Sequence, residues 1–342
     1  MNILYLGNDF GTSRHRADAL TRLGHHVRII DPEPFVPKGR WAAKIHFETG
    51  GLLCEKTVTT QTLAQIGAER YELVLVNGGR YVGPSLVKEL QRRFGPVINY
   101  NNDDPLGSRD RFSWSLYRRT VSSYDLMVVL RDENIHEAAA LGAKKTLRVF
   151  FSADEVAHAP REVTREDHLQ WDSEVIFVGT WMPERGPFIA ELIELGVPLS
   201  IYGGRWQRAP EWPIIQSVWK GPPTDSDDQY AKAIQCAKIG LGLVSKGNRD
   251  LHTTRSLEIP ALGTVLCALR TPEHQQLYCE GEEAVFWVNS AECAEACFKL
   301  LGNDRLRREI ALNGKKRTVQ NGTMNEQIMA RVLAQVGAEK SL

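Results

Sequence analysis

The sequence predicts an α/β protein made of two doubly wound parallel-sheet domains. Three observations predict it. The chain has 342 residues, too many for one typical core and comfortable for two. Over the first 150 residues short apolar runs alternate with amphipathic stretches, the pattern of strands joined by helices. A polar, charge-rich stretch at 152–172 follows, and near Glu174 a second alternation of the same kind begins.

The first series opens with a buried strand at Asn2–Leu6. The loop Gly7–Ser13 leads to a helix from about Arg14 to Leu23, stopped by Gly24, and to a strand at His26–Asp31. Pro32, Pro34 and Pro37 mark an irregular connection, with an edge strand expected at Leu52–Lys56 and a helix at Thr60–Ile66. A strand at Glu72–Asn77 ends at Gly78–Gly79. Pro84 then opens a helix to Phe94, proline being tolerated in a first turn. Strands at Pro96–Tyr100, Asp125–Leu130 and Thr146–Phe150 alternate with helices at Arg111–Val121 and His136–Leu141. This places a first domain at 1–160. The stretch Ser152–Asp172 reads as a linker.

In the second domain, expected at 172–322, a strand at Glu174–Val178 runs into the loop Gly179–Arg185 and a helix from Pro187 to Leu195. Leu199–Tyr202 is a strand stopped by Gly203–Gly204. Residues 205–223, with three Trp and four Pro, read as irregular around a short strand near Ile215. A helix is expected at Asp225–Cys236. The stretch Ile239–Ser245 is then a buried strand, and the polar loop Lys246–Asp250 follows it. Thr253 or Thr254 can cap a helix with apolar positions Leu257, Ala261 and Leu262; Gly263 ends it before the strand Thr264–Ala268. Helices near Glu273–Tyr278, Ala291–Leu301, Asp304–Val319 and Asn325–Val336, and a strand at Ala284–Val288, complete the chain.

A helix start after a parallel strand favours anions, because its first N–H groups are unpaired. Lys246, Arg249 and Arg255 add charge around that point. Glu258, one turn in, is placed to accept hydrogen bonds from ribose hydroxyls.

The run Arg255-Ser-Leu-Glu-Ile-Pro-Ala-Leu-Gly263 resembles the donor motif of glycosyltransferases with the two-Rossmann-domain (GT-B) architecture, and most closely the CgeB-like branch. Asp250 and Glu258 resemble the paired acids of related retaining enzymes, with Asp in place of the first Glu. Phe177–Arg185 resembles the family's Phe-Val-Gly…Pro-x-Arg pattern. The resemblance implies two Rossmann-like domains facing across a cleft and a last helix, 323–342, crossing back onto the first domain. It implies transfer of a sugar from a nucleotide diphosphate sugar to an acceptor hydroxyl.

Donor-side candidates are Gly179, Thr180, Arg185, Gly203, Lys246, His252, Thr253, Thr254, Arg255 and Glu258. An arginine fork suits a diphosphate whose charge grows as the glycosidic bond breaks. The bland readings are a solvated Arg185, threonines that only cap, and an exposed Glu258 paired with Arg255. Catalytic candidates are Asp9, His15, Asp103, Asp104 and Asp250. For Asp103 and Asp104 the alternative is turn chemistry before Pro105. For His15 it is packing. Trp residues in 205–219 stack on a sugar or, more simply, pack the loop.

Formal net charge is zero, so nucleic acid or an anionic membrane would need a local patch to bind. Six scattered cysteines show no Cys-x-x-Cys. This argues against a metal framework and for a reducing cytoplasm, and Cys293 and Cys297 read as packing. A metal-free reaction is expected, with Arg, Lys and the helix dipole stabilising the phosphates and no cofactor beyond the donor. No 18-residue apolar run is present. Gly7 and Gly11 without the third glycine argue against dinucleotide binding. The rival functions are a nucleotide-sugar epimerase and a non-catalytic nucleotide-sugar-binding partner in a glycosylation complex.

Overall fold

The computed structural model describes residues 1–37, 39–222, 224 and 226–337. Two compact units divide them. The first holds residues 1–150, the tripeptide Gly247–Arg249 and the last helix, Asn325–Gly337. The second holds Phe151–Lys246 and Asp250–Met324.

The first unit is a six-stranded sheet of β1 (Asn2–Leu6), β2 (His26–Ile30), β3 (Leu73–Asn77), β4 (Val97–Tyr100), β5 (Leu126–Val129) and β6 (Thr146–Arg148), in the order β2-β1-β3-β4-β5-β6. All its pairings are parallel. The inner strands are apolar on both faces because helices cover both faces, as a parallel sheet requires. Order reverses between β1 and β3, the point where such sheets bind ligands.

The second unit repeats the plan with β7 (Ser173–Val178), β8 (Leu199–Tyr202), β9 (Trp219–Gly221), β10 (Ala237–Gly242), β11 (Val265–Leu269) and β12 (Val285–Trp287), in the order β12-β11-β10-β7-β8-β9. These pairings are parallel too, and the reversal lies between β7 and β10. Its core also gathers the Cys267, Cys293 and Cys297 thiols within 4.8 Å of one another. The sequence showed only the helical pair, because Cys267 comes from β11.

Several elements differ from expectation. Leu52–Lys56 is no edge strand: it turns into a helix, Glu55–Ile66, whose buried Val58, Thr62 and Ile66 recur every four residues rather than every two. Gly50 and Gly51 at φ 59° and 81° make the turn, and the stretch before them, read as irregular, holds the helix Arg40–Glu48. Ile215 ends a short helix, Trp212–Ile215, with Pro213 in its first turn; the strand is Trp219–Gly221. The helix expected from Asp225 is Asp227–Gln235, capped by Ser226; Asp225 lies outside the described residues. Residues 152–172 are packed in the second unit rather than spanning as a free linker. Asp154 and His158 are buried, and a capping box of Thr164 and Asp167 starts the helix Arg165–Trp171. The polarity of the stretch is divided: Asp154 and His158 face inward with partners, while Glu162, Arg165, Glu166 and Gln170 stay exposed.

The Trp-rich segment packs. The Trp206 indole donates to Gly179 O at 2.9 Å and that of Trp219 to Gly203 O at 3.1 Å, so both buttress the loops after β7 and β8. Gly203 sits at φ 150°, and a Cβ there would collide with the Gly179 carbonyl. Gly203→Ala is expected to destabilise the second unit on the order of 3 kcal/mol, read as a lower urea midpoint.

Candidate functional site

The second unit brings its candidates to the reversal between β7 and β10. β7 ends at Val178 and continues through Gly179 and Thr180. Arg185 begins the helix Arg185–Glu194 and is 9% exposed. Its guanidinium donates from Nη1 to Thr180 O at 2.8 Å and from Nη2 to Leu243 O at 3.2 Å, pinning the loop after β7 to the chain beyond β10. Nε is buried without a partner among the described residues. Burial, and then the neighbouring Arg255, push its pKa down to about 10; Glu184 and Asp250 offset part of this. A guanidinium held by neutral carbonyls stays under-compensated and favours an added anion.

Arg255 joins the same point, donating from Nε to Val178 O at 3.2 Å and from Nη1 to Thr254 Oγ1 at 3.1 Å. Lys246 is exposed, and its backbone N–H donates to Glu184 at 3.1 Å. Asp250 is buried, with its N–H on Ser245 O at 3.1 Å. Thr253 and Thr254 do not cap as expected. Thr254 stands at the N-cap of Arg255–Ala261 in helical geometry with no side-chain cap, while the Ser256 hydroxyl accepts from Thr253 N at 3.1 Å. The first N–H groups of the helix reach backbone carbonyls instead, Ser256 N on Thr253 O at 3.0 Å and Leu257 N on Thr254 O at 2.9 Å, and Thr253 Oγ1 is buried without a partner among the described residues.

Glu258 is 4% exposed, not a solvated helical acid. Tyr230 donates its hydroxyl to Oε2 at 2.6 Å, and Arg255 lies 3.9 Å from that oxygen. His158 Nδ1 accepts from Asp154 N at 2.8 Å, which leaves the proton on Nε2, 3.5 Å from Glu258 Oε1. Burial would raise this carboxyl; His158, Arg255 and the Tyr230 and Thr254 hydrogen bonds bring it below the ordinary range. Glu258 is therefore a fixed carboxylate. Tyr230 and His158 escaped sequence reasoning because one lay on a helix with no motif and the other in the supposed linker.

His252 does not stand as a phosphate donor. Nε2 accepts from Phe151 N at 2.9 Å and Nδ1 faces Glu273 at 2.5 Å, so both ring nitrogens serve the loop's position. His274, between Leu269 O and Ser256 Oγ at 2.7 Å each, is pushed down to about 4 by burial and stays neutral.

In the first unit, a cavity of about 430 Å³ opens beyond β1, β3 and β4. Gly7, Asn77, Gly78, Asn102 and Asp103 line it. Behind them lies Arg16, 2% exposed, which donates to the Asn77 and Asn102 side-chain oxygens and stacks 4.1 Å over Tyr100. The four first-unit candidates separate here. Asp103 lines the cavity. Asp9 is exposed and paired with Arg14 at 2.8 Å, and His15 is buried in the helix Gly11–Arg22; neither lines it.

Asp104 is no base. It is buried, Arg249 grips both its oxygens at 2.6 and 2.9 Å, and Asn134 adds a bond at 2.9 Å. Burial opposes ionisation, but the Arg249 and Asn134 hydrogen bonds hold the carboxyl below its usual pKa. Arg249 also reaches Glu137 at 2.8 Å, from a left-handed backbone at φ 55°. The sequence had placed Arg249 with the donor loop; the structure spends its charge on Asp104 and Glu137.

Among the described residues no helix is long and apolar enough to cross a membrane. Residues 185–334 match a family model described as glycosyl transferase-like. No curated protein matches the chain. Solved structures share its fold. A sucrose-phosphate synthase from Thermosynechococcus elongatus aligns over 99% of this chain and 100% of its own, with TM-score 0.70 at 12% identity. Anabaena HepE, solved with UDP and glucose, covers 98% and 100% with TM-score 0.66 at 14% identity. A putative UDP-N-acetylglucosamine 2-epimerase from Listeria monocytogenes covers 99% and 96% with TM-score 0.58 at 13% identity. Residues 185–334 are thus similar to a glycosyl transferase-like family, and the chain as a whole carries the two-Rossmann-domain fold shared with these structures.

Proposed function

We propose that the protein is a glycosyltransferase that takes a nucleotide diphosphate hexose on its second unit and passes the sugar to an acceptor hydroxyl bound by the first. The observation that carries this reading is Arg185, a buried guanidinium pushed down by burial and by Arg255 at the reversal of the second sheet. A diphosphate supplies the missing counter-charge, and most strongly when the bond from the anomeric carbon to the phosphate oxygen breaks. Arg255, Lys246 and the Thr253 hydroxyl assist on the same loops, so arginine and lysine rather than a metal neutralise the leaving group. Glu258, held by Tyr230 and His158, keeps acceptor capacity for ribose hydroxyls.

The new bond forms from the acceptor oxygen to the anomeric carbon, and its proton passes to a base. Asp103 is our candidate, being the first-unit carboxylate among the predicted ones that lines the cavity. That polar cavity, a place for a second substrate, favours transfer over epimerisation. The motif Arg255–Gly263 supports the CgeB-like branch, and the free thiols support a reducing, cytoplasmic setting.

Thermal melting against UDP, GDP, TDP, CDP, ADP and NAD tests the donor site. One nucleoside diphosphate at about 100 times its Kd should stabilise by roughly 2.7 kcal/mol, and Glu258→Ala should lose most of that gain. Stabilisation by NAD alone, or by none, sinks the reading.

A further inference from the structure

Cys293 and Cys297 stand one turn apart on the helix Ser290–Leu301, a pair that by itself reads as packing. The fold adds a third thiol. That helix lies against β11, and Cys267 of β11 meets the pair, so that the three sulfurs are within 4.8 Å of one another. None is in a disulfide, and each residue is 0% exposed. Packing asks for volume, which Ala or Val supplies equally well; it does not ask sulfur to face sulfur from two elements. Three atoms no more than 4.8 Å apart all lie within about 2.8 Å (4.8/√3) of one centre, and a metal–thiolate bond is about 2.3 Å, so inward shifts of about 0.5 Å close a site. The donor set selects the metal. It is all sulfur: no His, Asp or Glu ligand atom joins the group among the described residues. Calcium and magnesium require oxygen. Structural zinc takes four ligands, and thiols sealed from solvent leave no water to be the fourth. Soft thiolates select copper(I), a closed-shell ion that accepts three ligands in a plane.

We propose that Cys267, Cys293 and Cys297 form a closed copper(I) site in the core of the second unit. Each thiol that joins releases its proton to solvent and gives a sulfur lone pair to the metal. No electron is transferred, because copper enters and remains as copper(I). With no open position the site is structural: it ties β11 to the helix Ser290–Leu301 and takes no part in sugar transfer. It stands independently of the transferase reading, because metal binding is read without turnover.

The test is to incubate the full chain, reduced and anaerobic, with a copper(I) salt, and also to refold it from urea with copper(I) present, since entry to a sealed site requires local opening. After passage over a copper(I) chelator, one copper per chain should remain and the melting temperature should rise. X-ray absorption should then find three sulfur neighbours at about 2.3 Å. Cys267→Ala should weaken binding by at least about 100-fold, beyond the cost of losing a group that only supports a ligand. Cys279→Ser, which removes an exposed thiol, should change nothing. Cooperative melting of metal-free Cys267→Ala shows that variant folded; where it does not fold, the wild-type X-ray spectrum decides alone. Wild-type protein that retains no copper overturns the proposal, as do two sulfur neighbours, a nitrogen or oxygen neighbour, or full retention by folded Cys267→Ala. Two of the three thiols recovered as a disulfide after alkylation and mass spectrometry also overturn it, and so does zinc(II) held in preference to copper(I).

Discussion

Arg185→Met should cost about 10²- to 10³-fold in kcat/KM for sugar transfer, the scale seen when a donor aimed at developing negative charge is removed. The expectation follows from where the guanidinium lies. Its described hydrogen-bond partners are the neutral Thr180 and Leu243 carbonyls, Phe177 lies 5.5 Å from the guanidinium, and Glu184 and Asp250 offset only part of its burial, so the proposed diphosphate would supply the direct counter-charge. The loss must be separable from a merely loosened loop. Comparing a nucleoside with its diphosphate does this: the wild type should prefer the diphosphate strongly, and Arg185→Met should lose that preference while still binding the base and ribose. Arg185→Lys keeps a charge but not the fork and should fall between the two. If Arg185→Met retains the preference, the diphosphate does not sit there.

The second large effect concerns stability. Arg249→Ala should cost about 2–3 kcal/mol, because it leaves the Asp104 carboxylate buried with only the neutral Asn134 and Gly107 N–H donors; the usual 3–5 kcal/mol for such a break is discounted here for those donors and for the one-third exposure of Arg249 and Glu137. Urea denaturation followed by tryptophan fluorescence measures it. The pH dependence has a definite sign. Asp104 is held below its ordinary 3.8, so its contribution is complete above that value and is lost as pH falls through the depressed folded value. The gap between wild type and variant should be widest near neutrality and should narrow below about pH 4. Asp104→Asn on the Arg249→Ala background should recover more than half of the loss, since the stranded charge is gone. No recovery would mean that Arg249 acts through Glu137 or its own packing.

How far the sequence could be read follows from what each position depends on. The buried parallel strands were legible because covering both faces demands unbroken apolar runs such as Leu73–Val76 and Ile239–Leu243. The helices that carry Arg185 and Glu258 were legible because a strand-loop-helix pattern fixes where each begins. What was hidden depends on partners distant in the chain. The partners that hold Glu258, Tyr230 and His158, come from outside its motif. Asp103 and Asp104 are neighbours of one type, yet one lines a cavity and the other is locked by a residue 145 positions away. His252 beside the threonines suggested phosphate; Phe151 and Glu273 had already claimed its ring. Local pattern shows which element a residue joins, while side-chain partnership is decided by the assembled fold.

The brief return of the chain at Gly247–Arg249 bears on how such proteins can be recombined. The first unit is not encoded by its first 150 residues alone: it also takes this tripeptide and the helix Asn325–Gly337, which lies against Gly11–Arg22 with Arg22 and Glu326 2.5 Å apart. A chimera that grafts a relative's opening segment onto this remainder would meet Arg249 with foreign residues in place of Asp104 and Glu137. Exchange of the first unit between relatives therefore has to move three separated stretches together, which makes this architecture harder to shuffle by a single crossover than its two-part layout suggests.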